Sequence, residues 1–323
     1  MKIVIIGGTG HVGTYLVPRL VMAGNEVISV SRQARQPYMD HYAWKSVRRI
    51  TIDRNEAEIN NDFGNQIARL LPDAVIDMIC FKPESARTLA ETLNGRIEHF
   101  LLCGTIWVHG HSEIVPTDES QQRKPFGDYG IKKAAIESWL LPYSHRTGFP
   151  ATIIHPGHIV GPGWIPLNPA GNFNTEVFRK LAAGEELLLP NLGLETVHHV
   201  HADDVAQIFE KAITNHSNAS GESFHAVSPR ALTLRGYAEA MSAWFGQKPR
   251  LRFLHWEEWK KTVSKTDANA TWDHIAHSPN CSIEKARRLL EYSPRYTSLQ
   301  AVQESVKQLI DNKLIDIPGM LAY

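Results

Sequence analysis

The chain has 323 residues, 43% of them hydrophobic and 21% charged, a balance typical of a globular protein. Its 34 Lys and Arg residues equal its 34 Asp and Glu residues, so the composition does not suggest a surface dedicated to nucleic acid or to anionic membranes. No apolar run reaches the ~20 residues of a membrane span, and glycine interrupts the first apolar run too early for a signal peptide.

Short apolar runs alternate with helical patterns through the first half of the chain. The runs predict β-strands at 2–6, 26–30, 48–53, 73–80, 99–104 and 151–161, and the first helical pattern lies over 11–24. Repeated strand–helix–strand units predict a parallel, doubly wound α/β sheet with helices on both faces.

The alternation loosens after residue 162, where a loop rich in Gly, Pro and Asn begins. Shorter helical and strand patterns are mixed from there to about residue 312, and the last ten residues are expected to form a loose tail. Asp204, in "HADDVA", is expected to cap the helix that follows it.

A glycine-rich turn directly follows the first strand and opens the first helix. "GGTGHVG" places Gly7, Gly10 and Gly13 in a GxxGxxG spacing. Glycine lets a backbone approach a pyrophosphate closely, and a helix N-terminus offers free N–H groups. The motif predicts a Rossmann-like dinucleotide-binding domain at 1–162, with 196–215 returning to it. A smaller mixed α/β substrate-binding domain is expected at 163–195 and 216–315.

The end of the second strand indicates which dinucleotide is bound. An acidic residue there holds a ribose 2′-hydroxyl, whereas an arginine accommodates a 2′-phosphate. The strand ends in "VSRQAR", with Ser31, Arg32 and Arg35 and no acid at positions 31 and 32. The cofactor is therefore expected to be NADP or NAD, with NADP favoured.

Tyr129 and Lys133 stand one helical turn apart in "GDYGIKKAAIE". Side chains at i and i+4 share one helix face, and a nearby ammonium favours the phenolate and so lowers the pKa of a tyrosine. A tyrosine of that kind can transfer protons near neutral pH. A surface pair on an amphipathic helix is the alternative interpretation.

Cysteines and histidines show no metal-binding spacing. Cys80, Cys103 and Cys281 are far apart in sequence and are expected to be buried free thiols in a reducing, cytoplasmic compartment. The "HHVH" segment at 198–201 lies in a strand-like run, where alternate side chains face opposite ways. We interpret it as structural.

The ordered set of motifs resembles the short-chain dehydrogenase/reductase superfamily, in its extended, NAD-dependent epimerase/dehydratase branch. The resemblance covers roughly residues 1–310 and includes the glycine motif, the YxxxK pair, "HFLLCGTIWVHG", "IIHPGHIVGPG" and "VHHVHADDVAQ". It implies that Tyr129 transfers a proton to or from a substrate oxygen. It also implies that Lys133 lowers the pKa of that tyrosine and binds the nicotinamide ribose, and that Thr105 hydrogen-bonds the same substrate oxygen.

The resemblance also implies cofactor and substrate contacts. The residues expected to contact the cofactor are Gly7, Thr9, Gly10, His11, Val12, Gly13, Ser31, Arg32, Asp53, Tyr129, Lys133 and His155. For Asp53 a turn-forming role is an equal alternative. Asn172, with Thr105, is expected to contact a small-molecule substrate, and a homodimer through the helix that bears Tyr129 is plausible. No metal site is expected.

Three positions depart from the family pattern. Val197 stands where nucleotide-sugar epimerases have an arginine that grips a diphosphate, His155 replaces the arginine of an "RP" pair, and His109 replaces a tyrosine. The missing arginine argues against a UDP-sugar, although Arg288 or Arg295 could substitute for it.

Two classes of function remain open. The first is an NAD(P)-dependent oxidoreductase or epimerase acting on a sugar, a nucleotide sugar or another hydroxylated small molecule, with a reductase of a non-sugar carbonyl as an alternative. The second is a non-catalytic dinucleotide sensor or an RNA-binding relative, because "SVSRQAR" and "VIDMICF" also resemble members near the chloroplast stem-loop-binding proteins. The zero net charge argues against RNA.

Overall fold

The computed structural model describes residues 1–33 and 36–317 of the chain. Its strands are β1 (Lys2–Ile6), β2 (Glu26–Ser31), β3 (Arg48–Thr51), β4 (Ala74–Asp77), β5 (His99–Cys103), β6 (Ala151–Pro156), β7 (His158–Val160), β8 (Leu187–Pro190), β9 (Thr196–Val197), β10 (His199–His201), β11 (Ser223–Ala226), β12 (Leu232–Thr233) and β13 (Leu251–Leu254).

The helices are α1 (His11–Met22), α2 (Arg54–Ile59), α3 (Phe63–Ala68), α4 (Pro83–Leu93), α5 (Gly127–Thr147), α6 (Glu176–Ala182), α7 (Ala202–Thr214), α8 (His216–Ala219), α9 (Leu234–Trp244), α10 (Trp256–Trp259), α11 (Lys265–His277), α12 (Glu284–Leu290) and α13 (Ser298–Asp311), with short 3-10 turns at Tyr42–Ser46 and Ile106–His109.

Seven parallel strands form the central sheet, in the order β11-β6-β5-β4-β1-β2-β3. Alternate residues of β1 enter different cores: Ile3 and Ile5 pack with α1 and α7, whereas Val4 and Ile6 pack with α4 and α5. Both faces of the sheet are therefore covered by helices, and the predicted doubly wound α/β fold is confirmed.

A second, smaller unit has its own apolar core. It is formed mainly by α6, α9, α13 and the two-stranded pair β8–β13, with Phe178, Tyr237 and Trp259 among its fully buried side chains. The sequence placed all of 216–315 here. However, β11 joins the large sheet beside β6, and α12 packs into the core on one face of that sheet. The boundary is more interleaved than the sequence pattern indicated, because short strands carry no signal of which sheet they join.

Three predicted strands end two or more residues earlier than the apolar pattern suggested. The run at 48–53 is a strand only to Thr51, the run at 73–80 only to Asp77, and the run at 151–161 divides at Gly157 into β6 and β7. After Gly157 the chain leaves the large sheet, and β7 pairs with β10 instead. A Cβ at Gly157 would lie 2.4 Å from the carbonyl oxygen of His198, so this crossing requires glycine.

Asp204 does not cap α7, contrary to the expectation from sequence. The cap is His201, whose Nδ1 accepts from the N–H of Asp203. The Asp204 carboxylate instead accepts the backbone N–H groups of Arg295 and Tyr296 at 2.7 and 3.1 Å, and so fixes the segment that precedes α13.

The histidines of 198–201 are built into the interior. His198 joins the carbonyl oxygen of Ser228 to the N–H of Cys281, and His199 lies 3.2 Å from the carbonyl oxygen of Leu167. Cys80 and Cys281 are buried free thiols as predicted, whereas Cys103 is half-buried. Over the described ranges, no helix has both the length and the apolar character needed to cross a membrane.

Candidate active site at the carboxyl edge of the sheet

The turn between β1 and α1 has the shape of an anion cradle. Gly7 has φ +88°, and its N–H donates to the carbonyl oxygen of Val30 at 2.8 Å. Gly10 precedes α1 in extended conformation, and no side chain caps the helix. The first N–H groups of this 12-residue helix are thus left for a ligand, where the helix dipole also favours negative charge.

Gly13 serves the packing of this turn. A Cβ there would lie 2.0 Å from the carbonyl oxygen of Gly8, so α1 can sit against the turn only if residue 13 is glycine. A Cβ at Gly10 would lie 3.2 Å from the carbonyl oxygen of Gly7, which is tight but possible. Gly7 therefore serves the geometry of the turn and Gly13 serves helix packing, whereas the protein's own packing leaves room for a methyl group at Gly10.

A groove of about 410 Å³ runs from this turn along the sheet edge. It is lined by Ile6, Gly7, Thr9, Gly10, Val30, Ser31, Arg32, Gln33, Ile52, Asp53, Arg54, Asn55, Phe63, Ile79 and Phe81. The predicted residues from β1 and β2 and Asp53 thus lie together on one concave surface. Its mixture of backbone N–H groups, apolar walls and arginines fits a dinucleotide.

Arg32 and Asp53 lie at the end of the groove beside β2. Arg32 is exposed just after the strand, and the Ser31 hydroxyl donates to the carbonyl oxygen of Gln33. Arg35, which was also predicted to favour NADP, lies outside the described residues. The Asp53 carboxylate accepts the N–H groups of Asn55 and Glu56 and caps α2, so its turn-forming role is seen directly.

Arg54 lines the groove and forms buried ion pairs, which were not predicted from the sequence. Its guanidinium donates to both oxygens of the fully buried Asp77, each at 3.0 Å, and to Glu58 at 2.6 Å. Asp77 also accepts the N–H of Ile79, a residue that lines the groove. The ion pair between Arg54 and Asp77 therefore fixes the loop after β4. In the sequence, the only sign of this pair is an acidic residue at the end of the predicted strand.

Thr105 and Tyr129 meet beyond the other end of the groove. Thr105 follows β5, its hydroxyl accepts the N–H of Trp107 at 3.3 Å, and its side chain lies close enough to the Tyr129 hydroxyl to lower the pKa of that phenol. The Tyr129 ring lies near Phe81 and Trp107, with ring centroids 6.4 and 6.1 Å away. The structure thus brings two predicted catalytic hydroxyls together at the carboxyl edge of the sheet.

Lys133 is held beneath Tyr129. It is only 3% exposed, and its Nζ donates to the carbonyl oxygens of Cys80 and Cys103 at 2.8 and 2.6 Å. An ammonium has three N–H donors, and these bonds use two of them. Nζ also lies 5.8 Å from the centre of the Tyr129 ring.

The pKa of Tyr129 differs from the expectation. Burial raises it to about 12, with the Cys103 thiol adding to the rise and the hydrogen bond to Thr105 opposing it. The sequence argument expected Lys133 to lower the pKa. Lys133 does not do so here, because its ammonium is directed at two main-chain carbonyls rather than at the phenol oxygen.

His155 and Asn172 are placed away from open surface. His155 is fully buried on β6, with Nδ1 accepting the N–H of Thr105 at 3.0 Å, so it does not line the groove. Asn172 is 2% exposed; its amide donates to Thr271 and accepts from Asn168. Its side chain thus shapes the loop after β7 rather than presenting free polar atoms.

Trp107 is a further residue that the sequence reading missed. It comes two positions after Thr105, and its ring lies 6.2 Å from His158, 5.3 Å from His274 and 4.2 Å from His277. Burial lowers the pKa of His274 and of His277 to about 4, so both are neutral at pH 7. One wall beside Tyr129 is therefore aromatic and uncharged. Within 1–33 and 36–317, no cluster of His, Cys, Asp or Glu has the arrangement of a metal site.

The parallel sheet, the glycine turn and the Thr105–Tyr129–Lys133 group are typical of dinucleotide-dependent enzymes, and comparison with known families gives the particular family. Residues 3–226 match the model of the NAD dependent epimerase/dehydratase family, and the chain belongs to that family. The predicted family is thus confirmed. Membership supports a nicotinamide dinucleotide as the cofactor and small-molecule oxidoreductase or epimerase chemistry in general.

Individual relatives are distant. Chloroplast stem-loop binding protein of 41 kDa b of Arabidopsis thaliana is 25% identical over 94% of this chain and 78% of its own length. The 2′-dehydrokanamycin reductase of Streptomyces kanamyceticus is 24% identical over 73% of this chain and 64% of its own length. Among solved structures, UDP-N-acetylglucosamine 4-epimerase from Bacillus cereus superposes with a TM-score of 0.67 at 22% identity, covering 94% of this chain and 97% of that one. That likeness confirms the fold.

Proposed function

We propose that the protein is an NADP-dependent oxidoreductase that acts on a hydroxylated ring through Thr105, Tyr129 and Lys133. The observation that carries the proposal is the meeting of Thr105 and Tyr129 above the buried Lys133, whose Nζ lies 5.8 Å from the centre of the Tyr129 ring, at the edge of a groove that suits a dinucleotide. A bound nicotinamide would exchange a hydride with the substrate carbon.

The chain's own residues supply the proton chemistry. Tyr129 gives a proton to the substrate oxygen, or takes one from it, and Thr105 hydrogen-bonds the same oxygen. Lys133 uses two of its three N–H donors on the carbonyl oxygens of Cys80 and Cys103. In the proposed reaction the third N–H donates to a ribose hydroxyl of the cofactor. In the groove, the N-terminus of α1 receives the pyrophosphate.

The preference for NADP is supported at the end of β2. Arg32 is exposed there and can pair with a 2′-phosphate, whereas the nearby Asp53 carboxylate is already occupied as a helix cap. An NAD-type site would offer a free acid to the ribose 2′-hydroxyl.

Two features support an uncharged substrate rather than a nucleotide diphosphate. Val197, at the position of the missing arginine, is fully buried and cannot contact a phosphate. The wall beside Tyr129 consists of Trp107 and neutral histidines. A sugar or similar ring without a diphosphate suits such a wall, because apolar ring faces pack on aromatic side chains.

The first experiment measures binding and turnover separately. Purified protein is denatured and any released nucleotide identified by mass, and the wild type and Tyr129→Phe are then titrated with NADPH and with NADH. We expect tighter NADPH binding by both proteins. Turnover of carbonyl and alcohol substrates, followed at the nicotinamide absorbance, should fall by about 10²–10⁴-fold in the variant.

Arg32→Ala provides the matched test of cofactor choice. The substitution should weaken the binding of NADPH by about tenfold and leave the binding of NADH nearly unchanged, because only the 2′-phosphate loses a partner. Binding of neither nucleotide, together with salt-sensitive RNA binding, would contradict the proposal and favour a non-catalytic relative. Undiminished turnover by Tyr129→Phe would contradict the assigned role of that residue.

A further inference from the structure

A buried histidine links the catalytic strand to the catalytic helix. His155 is fully buried on β6, and its Nδ1 accepts the backbone N–H of Thr105 at 3.0 Å. Gly104, the residue before Thr105, also lies against the imidazole, because a Cβ at Gly104 would be 2.4 Å from the same nitrogen. The end of β5 is thus shaped to rest directly on this imidazole.

The other side of the imidazole faces α5. His155 Nε2 lies 3.3 Å from a carboxylate oxygen of Glu137, and Arg123 donates to both oxygens of Glu137 at 3.1 and 2.7 Å. Burial would raise the pKa of Glu137, but His155 and Arg123 together hold it well below its usual range, so the carboxylate is ionised. Since Nδ1 accepts from Thr105, the ring proton belongs on Nε2, which lies beside this carboxylate at ion-pair distance without forming an aligned hydrogen bond.

Helical spacing places Glu137 on the same face as the proposed catalytic pair. Tyr129, Lys133 and Glu137 are at i, i+4 and i+8 of α5. Two of them anchor the helix to the end of β5: Lys133 directly at the carbonyl oxygen of Cys103, and Glu137 through His155 at the N–H of Thr105. These two anchors are two residues apart on the strand.

We propose that His155 and Glu137 are positioning residues that fix the distance between Thr105, just after β5, and Tyr129 on α5. The proposal rests on the proposed catalytic use of those two hydroxyls. The pair acts through geometry and not as a proton path, because the group that Nδ1 contacts is a backbone amide, which does not ionise in the reaction. A displacement of about 1 Å in such a site can lower turnover about 100-fold.

The test is a double-mutant cycle between positions 155 and 105. His155→Phe removes the acceptor and keeps an aromatic ring of similar size, and Thr105→Val removes the hydroxyl and keeps the branched shape. We expect His155→Phe to lower kcat about 10- to 100-fold with the affinity for NADPH within about twofold of wild type. The kcat of the double variant should be no lower than that of Thr105→Val alone, because both substitutions disable the same hydroxyl.

Two further variants separate positioning from general stability. His155→Asn retains an acceptor near the place of Nδ1 and should recover most of the lost turnover. His99→Phe is the matched control: His99 is 1% exposed and bonded to Thr152 at the opposite end of β5, so its loss should lower stability without the same effect on kcat. If His155→Phe does not fold, Glu137→Gln replaces it in the cycle.

The outcomes are distinguishable. Additive losses in the cycle, unchanged turnover in His155→Phe, or an equal loss in His99→Phe would each overturn the positioning role while leaving the proposed function standing. Full turnover by Thr105→Val or by Tyr129→Phe would overturn both. A coupled cycle with rescue by asparagine supports the positioning role.

Discussion

Gly13→Ala should separate the packing task of the glycine turn from its binding task. The new Cβ would lie 2.0 Å from the carbonyl oxygen of Gly8 and 2.5 Å from its carbonyl carbon. Ordinary carbon–oxygen contacts are longer by about 1 Å or more, so α1 must move away from the turn by roughly that amount. Both sides of the clash are backbone, and no flexible side chain can give way.

The magnitude follows from the immobility of the helix. Leu16, Val17 and Leu20 of α1 are essentially fully buried, so a shift of α1 disturbs packing along its length. Overpacking of a core costs about 1–3 kcal/mol, and a backbone clash belongs at the upper end. For a chain of this size, about 3 kcal/mol corresponds to a decrease of roughly 4–5 °C in Tm.

Gly10→Ala is the matched variant at the same turn. Its backbone has φ −75°, which any residue adopts, and its Cβ would lie 3.2 Å from the nearest atom, the carbonyl oxygen of Gly7. We therefore expect a Tm near that of wild type, with NADPH binding weakened about tenfold or more because a methyl group stands where a pyrophosphate must approach.

Thermal unfolding followed by circular dichroism and titration with NADPH measure both quantities on both variants. A Gly13→Ala protein with the Tm and affinity of wild type would refute the assignment of that glycine to close packing. A Gly10→Ala protein that binds NADPH normally would show that the turn is not the pyrophosphate cradle.

Two further predictions concern stability. Asp77→Ala should cost about 3–5 kcal/mol in urea unfolding, because it leaves the buried Arg54 guanidinium with only Glu58 of its two carboxylate partners, whereas removing Asp62, the half-buried partner of the exposed Arg69, should cost no more than about 1 kcal/mol; equal effects would contradict this. Acidification should destabilise the protein at pH values above the carboxylate range: burial lowers the folded-state pKa of nine histidines in the described ranges, so the stability that they contribute is present above their unfolded pKa of about 6.5 and is lost progressively as the pH falls from about 7 to 5.5. Unfolding midpoints that stay constant over that interval would contradict it. The nine are His11, His99, His109, His158, His198, His199, His225, His274 and His277.

The large sheet could be predicted from the sequence because its signals are local. Each strand of the first half is an apolar run bounded by a helix, and the glycine turn has a spacing that only a strand–turn–helix uses. The identity of β11 as the seventh strand is different. Ser223–Ala226 is four residues long, and only its pairing with β6, some 70 residues earlier in the chain, decides which sheet it joins.

The site could be predicted only where one residue type does one task. Tyr129, Lys133 and Thr105 could be predicted to lie together because their spacing and order are themselves the signal, and their catalytic role stays a prediction. His155 was expected to contact the cofactor, but its side chain accepts the backbone N–H of Thr105 instead. Whether a strand residue faces a groove or a helix depends on its partners across the sheet, which the sequence does not give. Arg54 was missed because its role depends on Asp77, 23 residues away.

The raised pKa of Tyr129 determines the protonation state in which the proposed proton donor is found. With a pKa of about 12, the phenol keeps its proton at neutral pH and is suited to donating it to an oxygen on which negative charge develops. Charge of that kind develops on a carbonyl oxygen when hydride arrives at its carbon. The reverse reaction passes through the same transition state and uses the phenolate as the base. In the proposed reaction Tyr129 therefore serves as the acid in carbonyl reduction and, as its phenolate, as the base in alcohol oxidation, and the supply of reduced and oxidised nicotinamide decides the net direction.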